Sequence, residues 1–458
     1  MHQARYVIAI KNTVHIVQYH CKHHFIVIQL MLRLGHVNNI CTIFLITTAF
    51  FHRISGFKQH AIKFIASPQL DRVHTVRYMS KRKSSSEEPI KAATKKSQRS
   101  SVTVENVSEL PKLPFIPSGF NAARARLLSN TAELRTDGDC VVLWMSRDQR
   151  VDDNHAMLYA QGVATANNVP LKVVFNMVPK FLEATLRQYD FMVKGLIEVE
   201  EQLRQKHIPF HLLMGNPVEN IPQFALEHRA ILVVVDFSPL RIGLLWSKSA
   251  GDGLDGLKIP IPLVQVDAHN VVPCWVASPK LEYGARTIRT KIQNRLPEFL
   301  TKFEELAPNQ HGSLDGCQSI DWVTALGSLE IDRTVAPVSW LRPGSSAALE
   351  VLQSFIETRL KDYGTKRNDP NQDLQSNLSP YIHFGQISVQ RLVLAVKTSK
   401  KHPSSADSFI EEAIVRSELS DNFCFCKYQC SSRVPFTIVL SIQIIDQMFV
   451  IFVLIFLV

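Results

Sequence analysis

The chain has 458 residues, of which 46% are hydrophobic and 20% are charged, a balance typical of a globular protein with room for two domains. Its formal net charge of +10 is unevenly distributed along the chain. The first 78 residues contribute +8 and the next 22 contribute +5, so the remaining 358 residues carry a net charge of −3. Nucleic-acid binding through net charge alone is therefore excluded for the body of the chain, and eight irregularly spaced cysteines exclude a disulfide framework.

Residues 1–78 form an atypical leader. They hold no acidic residue before Asp71, nine of the seventeen histidines, and two apolar stretches, HFIVIQLML and ICTIFLITTAFF, that are too short and interrupted to span a membrane. Organelle transit peptides are also acid-poor and basic, but they are richer in serine and shorter. We therefore expect the leader to lie outside the fold, and a mitochondrial destination is the alternative localisation.

Residues 79–118 are predicted to be a disordered basic segment. Lys81–Lys83 and then Lys95, Lys96 and Arg99 are separated by serine, alanine and glutamate. Two basic groups spaced in this way are typical of a nuclear-import signal, although a solvated basic tail has the same composition. The segment favours the nucleus as the site of action.

Residues 119–270 are predicted to form an α/β domain with a doubly wound parallel sheet. Short apolar runs suited to buried parallel strands alternate with segments of helical periodicity. The predicted strands are 140–145, 171–177, 210–214, 230–236 and 262–267, and the predicted helices are 153–167, 181–206, 217–228 and 239–248. No GxGxxG motif follows the first strand, so dinucleotide binding of the Rossmann type is not predicted.

Residues 271–304 are interpreted as an interdomain segment and residues 305–430 as an all-α part. Helical periodicity returns at 280–304, 345–362, 385–399 and 405–423, without further strands. The only cysteine cluster, Cys424, Cys426 and Cys430, lacks the closing pair of ligands that a metal site needs, so no metal is predicted.

Residues 431–458 form an atypical apolar tail, in which Asp446 is the only charged residue after Arg433. The length suits a membrane anchor, but a charge near the middle of a spanning helix costs about 2.5–3.5 kcal/mol. The favoured interpretation is an altered end that replaces other sequence, and membrane attachment is not predicted.

A polar and aromatic stretch, KRNDPNQDLQSNLSPYIHFGQIS at 366–388, precedes a predicted helix that begins near Pro380. Hydroxyl side chains and free backbone amides ahead of a helix favour an anion such as phosphate. An ordinary capped helix start at Ser379 has the same residues.

This stretch resembles the flavin-phosphate loop of the DNA photolyase and cryptochrome family, and in particular of class II cyclobutane pyrimidine dimer photolyases. Three further stretches resemble the same family in the same order: VLWMSRDQRVDDNHAMLYAQ at 142–161, WVASPKLEYGARTIRTKI at 275–292 and EEAIVRSELSDNFCF at 411–425. The resemblance covers roughly residues 120–428. It implies that the helical part is an incomplete FAD-binding domain, because the family continues well beyond this point.

The resemblance implies light-driven repair of pyrimidine dimers in DNA by electron transfer from reduced FAD. It places Tyr363, Ser376, Asn377, Leu378 and Ser379 around the FAD phosphates and ribityl chain, with Arg367 ordering the loop. A second, antenna chromophore, either a deazaflavin or a folate, and a monomeric state are further expectations. The alternatives are a cryptochrome-like photosensor and a non-catalytic, truncated product.

The resemblance also selects Glu412 as the catalytic residue, the glutamate that hydrogen-bonds the pyrimidine dimer. Arg416, four residues later, is expected to pair with Glu412 or with a DNA phosphate. Arg286 and Arg289 lie on a basic helix that is equally consistent with DNA contact and with ion pairs between domains. Glu418 and Asn422 share another helix face and are also consistent with an internal ion pair or a cap.

Overall fold

The structure is a computed structural model that describes residues 4–10, 13–19, 112–314 and 317–430. The chain divides into two compact units, Met1–Ser101 and Val102–Val458. In the first unit, β1 (Ala4–Ile10) and β2 (Thr13–Tyr19) form an antiparallel hairpin that the sequence did not predict. The apolar stretches of the leader, the import signal and the apolar tail lie outside the described residues.

The second unit is built on a six-stranded sheet with the order β3-β8-β7-β4-β5-β6. All neighbouring strands are parallel except β3 and β8, which are antiparallel. The strands are β3 (Ala125–Leu127), β4 (Cys140–Met145), β5 (Leu171–Met177), β6 (Phe210–Met214), β7 (Ala230–Asp236) and β8 (Leu263–Val266). The five predicted strands are confirmed, whereas β3 is a three-residue edge strand too short to produce a sequence pattern.

Helices cover both faces of this sheet: α1 (His155–Ala166), α2 (Leu186–Gln205), α3 (Pro217–Glu227) and α4 (Arg241–Asp255). Alternate residues of β4 belong to two different apolar clusters, with Leu143 in the cluster that contains α1 and α2 and Trp144 in the cluster that contains α3 and α4. A strand buried on both faces must be apolar throughout, which explains the uninterrupted run CVVLWM. The predicted doubly wound α/β fold is confirmed.

The described chain after β8 is helical, as predicted. Its helices are α5 (Cys274–Ala277), α6 (Ala285–Phe299), α7 (Trp322–Gly327), α8 (Ser345–Ser354), α9 (Leu360–Lys366), α10 (Ser379–His383), α11 (Val389–Ser399), α12 (Pro403–Ile410) and α13 (Ser417–Cys430). Two π-helical turns, Phe355–Arg359 and Glu411–Arg416, join α8 to α9 and α12 to α13. No helix among the described residues is both long and apolar enough to cross a membrane.

A tight turn seats the helical part against the end of β4. Gly385 has a φ of +63°, and a Cβ added there would lie 2.4 Å from the carbonyl oxygen of Arg147. The amide of Gln149 donates to the carbonyl of Phe384, and the Arg150 guanidinium donates to the carbonyl of Gly385 at 2.9 Å. Only glycine combines this backbone conformation with this close approach.

Candidate functional site

A surface cleft of about 620 Å³ lies between α6, α9, α12 and the π-helical turn that follows α12. Its lining is entirely charged or hydroxylic: Arg289, Arg367, Ser404, Asp407, Ser408, Glu411, Glu412 and Arg416. Four residues selected from the sequence, Glu412, Arg367, Arg289 and Arg416, therefore meet in one place although they span more than 120 positions. Asp407 and the two serines carry no recognisable sequence signal beyond lying one to two helical turns before Glu412.

Arg367 and Glu412 form an ion pair across the cleft. A guanidinium nitrogen of Arg367 donates to a carboxylate oxygen of Glu412 at 3.2 Å, and the Glu412 side chain is 39% exposed. The Arg367 guanidinium also lies 5.5 Å from the ring centre of Tyr363, a cation–π arrangement. In this geometry Glu412 accepts a hydrogen bond, so a ligand that needs a proton from Glu412 must first displace Arg367.

Arg416 pairs with Glu411 and not, as one of the expectations had it, with Glu412. The Arg416–Glu411 distance is 3.8 Å, and Arg289 from α6 donates to both oxygens of Glu411, at 2.6 Å in the shortest contact. A regular helix would turn adjacent residues about 100° apart. The π-helical turn Glu411–Arg416 alters this spacing, and both glutamates line the same cleft.

The hydroxyl-rich loop before α10 is held to the end of α9. The Gln375 side chain donates to the carbonyl of Arg367, and the Ser376 hydroxyl accepts from the amide of Leu378 at 3.3 Å. Asn377 has a φ of +59°, a conformation that asparagine tolerates better than most residues, and Ser379 opens α10 at an exposed position.

Two of the residues that the resemblance places around FAD, Leu378 and Tyr363, lie in the apolar core. Leu378 is fully buried, so only its backbone could face a ligand. Tyr363 packs edge-on against Phe355 and Phe409, and burial raises the pKa of its hydroxyl to about 12. Tyr363 therefore packs against the cleft residue Arg367, and it contributes no group that titrates near neutrality.

The remaining sequence-selected residues lie outside the cleft lining. Arg286 is exposed on α6. Gln386, near the end of the stretch 366–388, is buried: its side-chain carbonyl accepts from the Gly344 amide at 2.8 Å, and its side-chain amide donates to the backbone carbonyl of Phe191. Asn422 holds the segment before α6, because it accepts from the Glu282 amide at 2.8 Å and donates to the Lys280 carbonyl at 3.0 Å.

The amide nest at the carboxyl end of β4 is filled by the chain itself. The amides of Ser146, Arg147 and Asp148 donate to the carboxylate of Asp236, at distances between 2.8 and 3.1 Å. In dinucleotide-binding sheets, amides in this position receive a phosphate. Because Asp236 occupies them, the structure gives a physical reason for the missing GxGxxG motif.

A buried network of charged side chains, which the sequence did not predict, joins the carboxyl end of β4 to α13. Arg147 donates to both oxygens of Asp421 at 2.7 and 3.1 Å, and Asp148 contacts Arg150 at 2.6 Å and His269 at 3.1 Å. Burial alone would raise the pKa of Asp148, but Arg150 and His269 hold it well below its usual range. The dense run of charges in SRDQRVDD was the only signal, and it did not identify the partners.

Sequence comparisons relate the chain to DNA photolyases. The family model for DNA photolyase matches residues 141–309. Among curated sequences, the deoxyribodipyrimidine photo-lyase of Potorous tridactylus is 50% identical over 307 residues, which cover 67% of this chain and 57% of the relative. Residues 141–309 belong to the DNA photolyase family.

Two photolyases from plants are similar to this chain over comparable lengths. The deoxyribodipyrimidine photo-lyases of Arabidopsis thaliana and Oryza sativa are 45% and 41% identical over 62% and 64% of this chain, and these matches cover 59% and 60% of the relatives. The chain therefore spans less than two thirds of the length of the photolyases that it matches.

Glu418 provides a pH-dependent test of how the helical part of this photolyase relative is anchored. Its carboxylate is 3% exposed and accepts from the amides of Val271 and Val272 at 2.8 and 3.1 Å, an arrangement closer to a cap than to an ion pair. Burial raises its pKa well above the usual 4.5. A raised folded-state pKa stabilises the fold at low pH, and this stabilisation is lost as the pH rises through the folded pKa.

We therefore expect Glu418→Gln to become increasingly stabilising, relative to the wild type, as the pH rises above 4.5. The difference in unfolding free energy should grow by about 1.4 kcal/mol per pH unit until the folded pKa is reached. Thermal unfolding midpoints of the full chain at pH 5, 6 and 7 measure it, with exposed Glu330→Gln as the control. A Glu418→Gln difference that is constant or falls with pH would contradict the assignment.

Proposed function

We propose that this chain carries the photolyase and partial flavin-binding regions of a light-driven DNA-repair lyase of the class II type, which splits cyclobutane pyrimidine dimers. Bound, reduced FAD would supply one electron to the dimer on illumination. The observation that carries the proposal is the convergence of Glu412 with Arg289, Arg367 and Arg416 on a single cleft. Because the chain spans only part of its relatives, activity of this polypeptide is itself part of the proposal.

The described residues fit the phosphate portion of FAD. Three guanidinium groups line the cleft, and planar guanidinium forks match phosphate oxygens better than any other side chain. The described lining offers no apolar wall for the flavin ring, since all eight residues are charged or hydroxylic. The fit therefore supports phosphate binding by Arg367. The Ser376–Ser379 loop lies outside this lining, and the flavin ring would have to contact other groups outside it.

In the proposed complex, Glu412 hydrogen-bonds the pyrimidine edge of the dimer. A ligand phosphate would compete with Glu412 for Arg367 and release its carboxyl group for that bond. Arg416 and Arg289 would contact DNA phosphates, and their shared pairing with Glu411 holds both guanidinium groups at the cleft before DNA arrives. Arg286, exposed on the same helix as Arg289, would extend this contact.

The first test is the absorption spectrum of the purified full chain, followed by a repair assay. Flavin bands near one FAD per chain and conversion of dimer-containing oligonucleotide to intact thymine under blue light, but not in the dark, would support the proposal. Flavin without repair would favour the cryptochrome-like alternative. A purified chain without flavin and without repair would reject catalytic activity.

Glu412→Ala is expected to lower the light-driven repair rate about 100-fold, because a hydrogen bond to the site of developing charge is lost. Glu412→Gln should lose less, since its amide can still donate to the dimer. Both variants should retain the flavin content of the wild type, which the same spectrum measures. The exposed variant Glu357→Gln is the control, and equal repair rates for Glu412→Ala and this control would refute the assignment.

Three further expectations complete the proposal. A second chromophore, a deazaflavin or a folate, is proposed as an antenna for the α/β part, and extraction and chromatography of bound pigments would identify it.

Nuclear localisation is proposed from the basic segment 79–118, with mitochondria as the alternative, and a fluorescent fusion in cells distinguishes them. A monomer is proposed, which light scattering tests.

A further inference from the structure

Tyr283 is an aromatic side chain held in solvent at the start of α6. It is 90% exposed, more than any other exposed large hydrophobic residue in the described part of the chain. Between residues 260 and 322, leaving aside 315 and 316, no other large apolar side chain is comparably exposed. Tyr283 therefore has no comparably exposed apolar neighbour close to it in the chain.

The backbone that carries Tyr283 is fixed on both sides. The Lys280 carbonyl and the Glu282 amide are both bonded to Asn422 of α13, at 3.0 and 2.8 Å. The Glu282 carboxylate is buried and accepts from Ser278 at 2.7 Å and from Lys291 at 2.5 Å. Because this short segment is already ordered, binding through Tyr283 would cost little additional conformational entropy.

Tyr283 lies two residues before α6, and the basic face of this helix leads into the cleft. Arg286 and Arg289 are three residues apart on α6 and so share one face, and Arg289 lines the cleft. Arg286 is exposed and has no hydrogen bond or ion pair within the described part of the chain. An aromatic ring beside cations that follow a groove is the arrangement that single-stranded nucleic acid binds, with a base on the ring and phosphates on the arginines.

We propose that Tyr283 stacks on an unpaired base that flanks the lesion, while Arg286 contacts the adjacent phosphate. This inference rests on the proposed function, because it takes the cleft to be the lesion site. Stacking on Tyr283 would hold the strand beside the cleft and compensate for part of the stacking that the flipped dimer loses. The ring acts through its flat face, so its hydroxyl group is dispensable.

The test is fluorescence anisotropy of a labelled single-stranded oligonucleotide with one cyclobutane thymine dimer, bound by the full chain at several salt concentrations. Tyr283→Ala should weaken binding about tenfold, whereas Tyr283→Phe should stay within about twofold of the wild type. Tyr283→Ala should leave the salt dependence unchanged, but Arg286→Gln should reduce its slope by about one phosphate contact. With 2-aminopurine beside the dimer, the wild-type complex should be quenched and the Tyr283→Ala complex should not.

The outcomes separate this inference from the proposed function. If the wild type binds and repairs the oligonucleotide but Tyr283→Ala binds equally well, the stacking role is wrong and the photolyase function stands. If Tyr283→Phe loses as much affinity as Tyr283→Ala, the hydroxyl group matters and stacking is again refuted. If the wild type binds neither damaged nor undamaged DNA, both proposals fail.

Discussion

Gly385→Ala is expected to destabilise the protein by about 2–5 kcal/mol, which combines the cost of a left-handed backbone with that of overpacking. The added Cβ would lie 2.4 Å from the carbonyl oxygen of Arg147 and 2.4 Å from the Cα of Asp148. Both are backbone atoms at the end of β4, so neither can rotate away. The turn would have to withdraw from the sheet, which would break the bond from Arg150 to the Gly385 carbonyl.

Thermal unfolding of the full chain, followed by circular dichroism, measures this effect. The matched control is Gly327→Ala, because a Cβ at Gly327 meets no atom within 4 Å and its φ is not in the left-handed region. We expect the control to retain the wild-type midpoint within a few degrees. A Gly385→Ala midpoint equal to that of the control would show that the loop does not pack on β4 as described.

Arg124→Met is expected to destabilise the fold by at least about 3 kcal/mol, because hydrogen bonds to a charged group contribute about 1.5–3 kcal/mol each and several are lost together. The Arg124 guanidinium is 2% exposed and donates to the backbone carbonyls of Asp267, Asn270, Val271 and Phe299 and to the Gln390 side chain. Burial lowers its pKa to about 10, so it remains charged at neutral pH. Methionine would fill similar space but would remove the donor that the four buried backbone carbonyls share.

These bonds join the edge of the sheet to the segment after β8, to the end of α6 and to α11. We therefore expect the helical part to lose its protection from proteolysis in Arg124→Met before the sheet does, which limited proteolysis with mass spectrometry can map. Lys258→Met, at an exposed position, is the matched control. Arg124→Lys can satisfy only some of the five acceptors, so its stability should lie between that of Arg124→Met and that of the control. If Arg124→Lys is as unstable as Arg124→Met, the shape of the arginine side chain and not its hydrogen bonding determines the stability of the fold.

The secondary structure of the α/β part was predictable because it depends on local patterns. Runs such as CVVLWM and AILVVVD are apolar at every position, which requires burial on both faces, and the strands that they predicted have the same bounds in the structure. β3 and the two π-helical turns were not predictable. A three-residue edge strand and an extra residue in a helical turn leave no periodic signal.

Sequence alone determined most of the strands and helices, the family resemblance and four of the eight cleft residues, since each depends on local patterns and motifs. Only the tertiary structure decided the partners. Arg367 pairs with Glu412, Arg289 pairs with Glu411, and Asp236 fills the amide nest after β4. These pairings are set by how helices and strands distant in sequence pack together, and a charged side chain has the same sequence signature whether it faces solvent, a ligand or another charge.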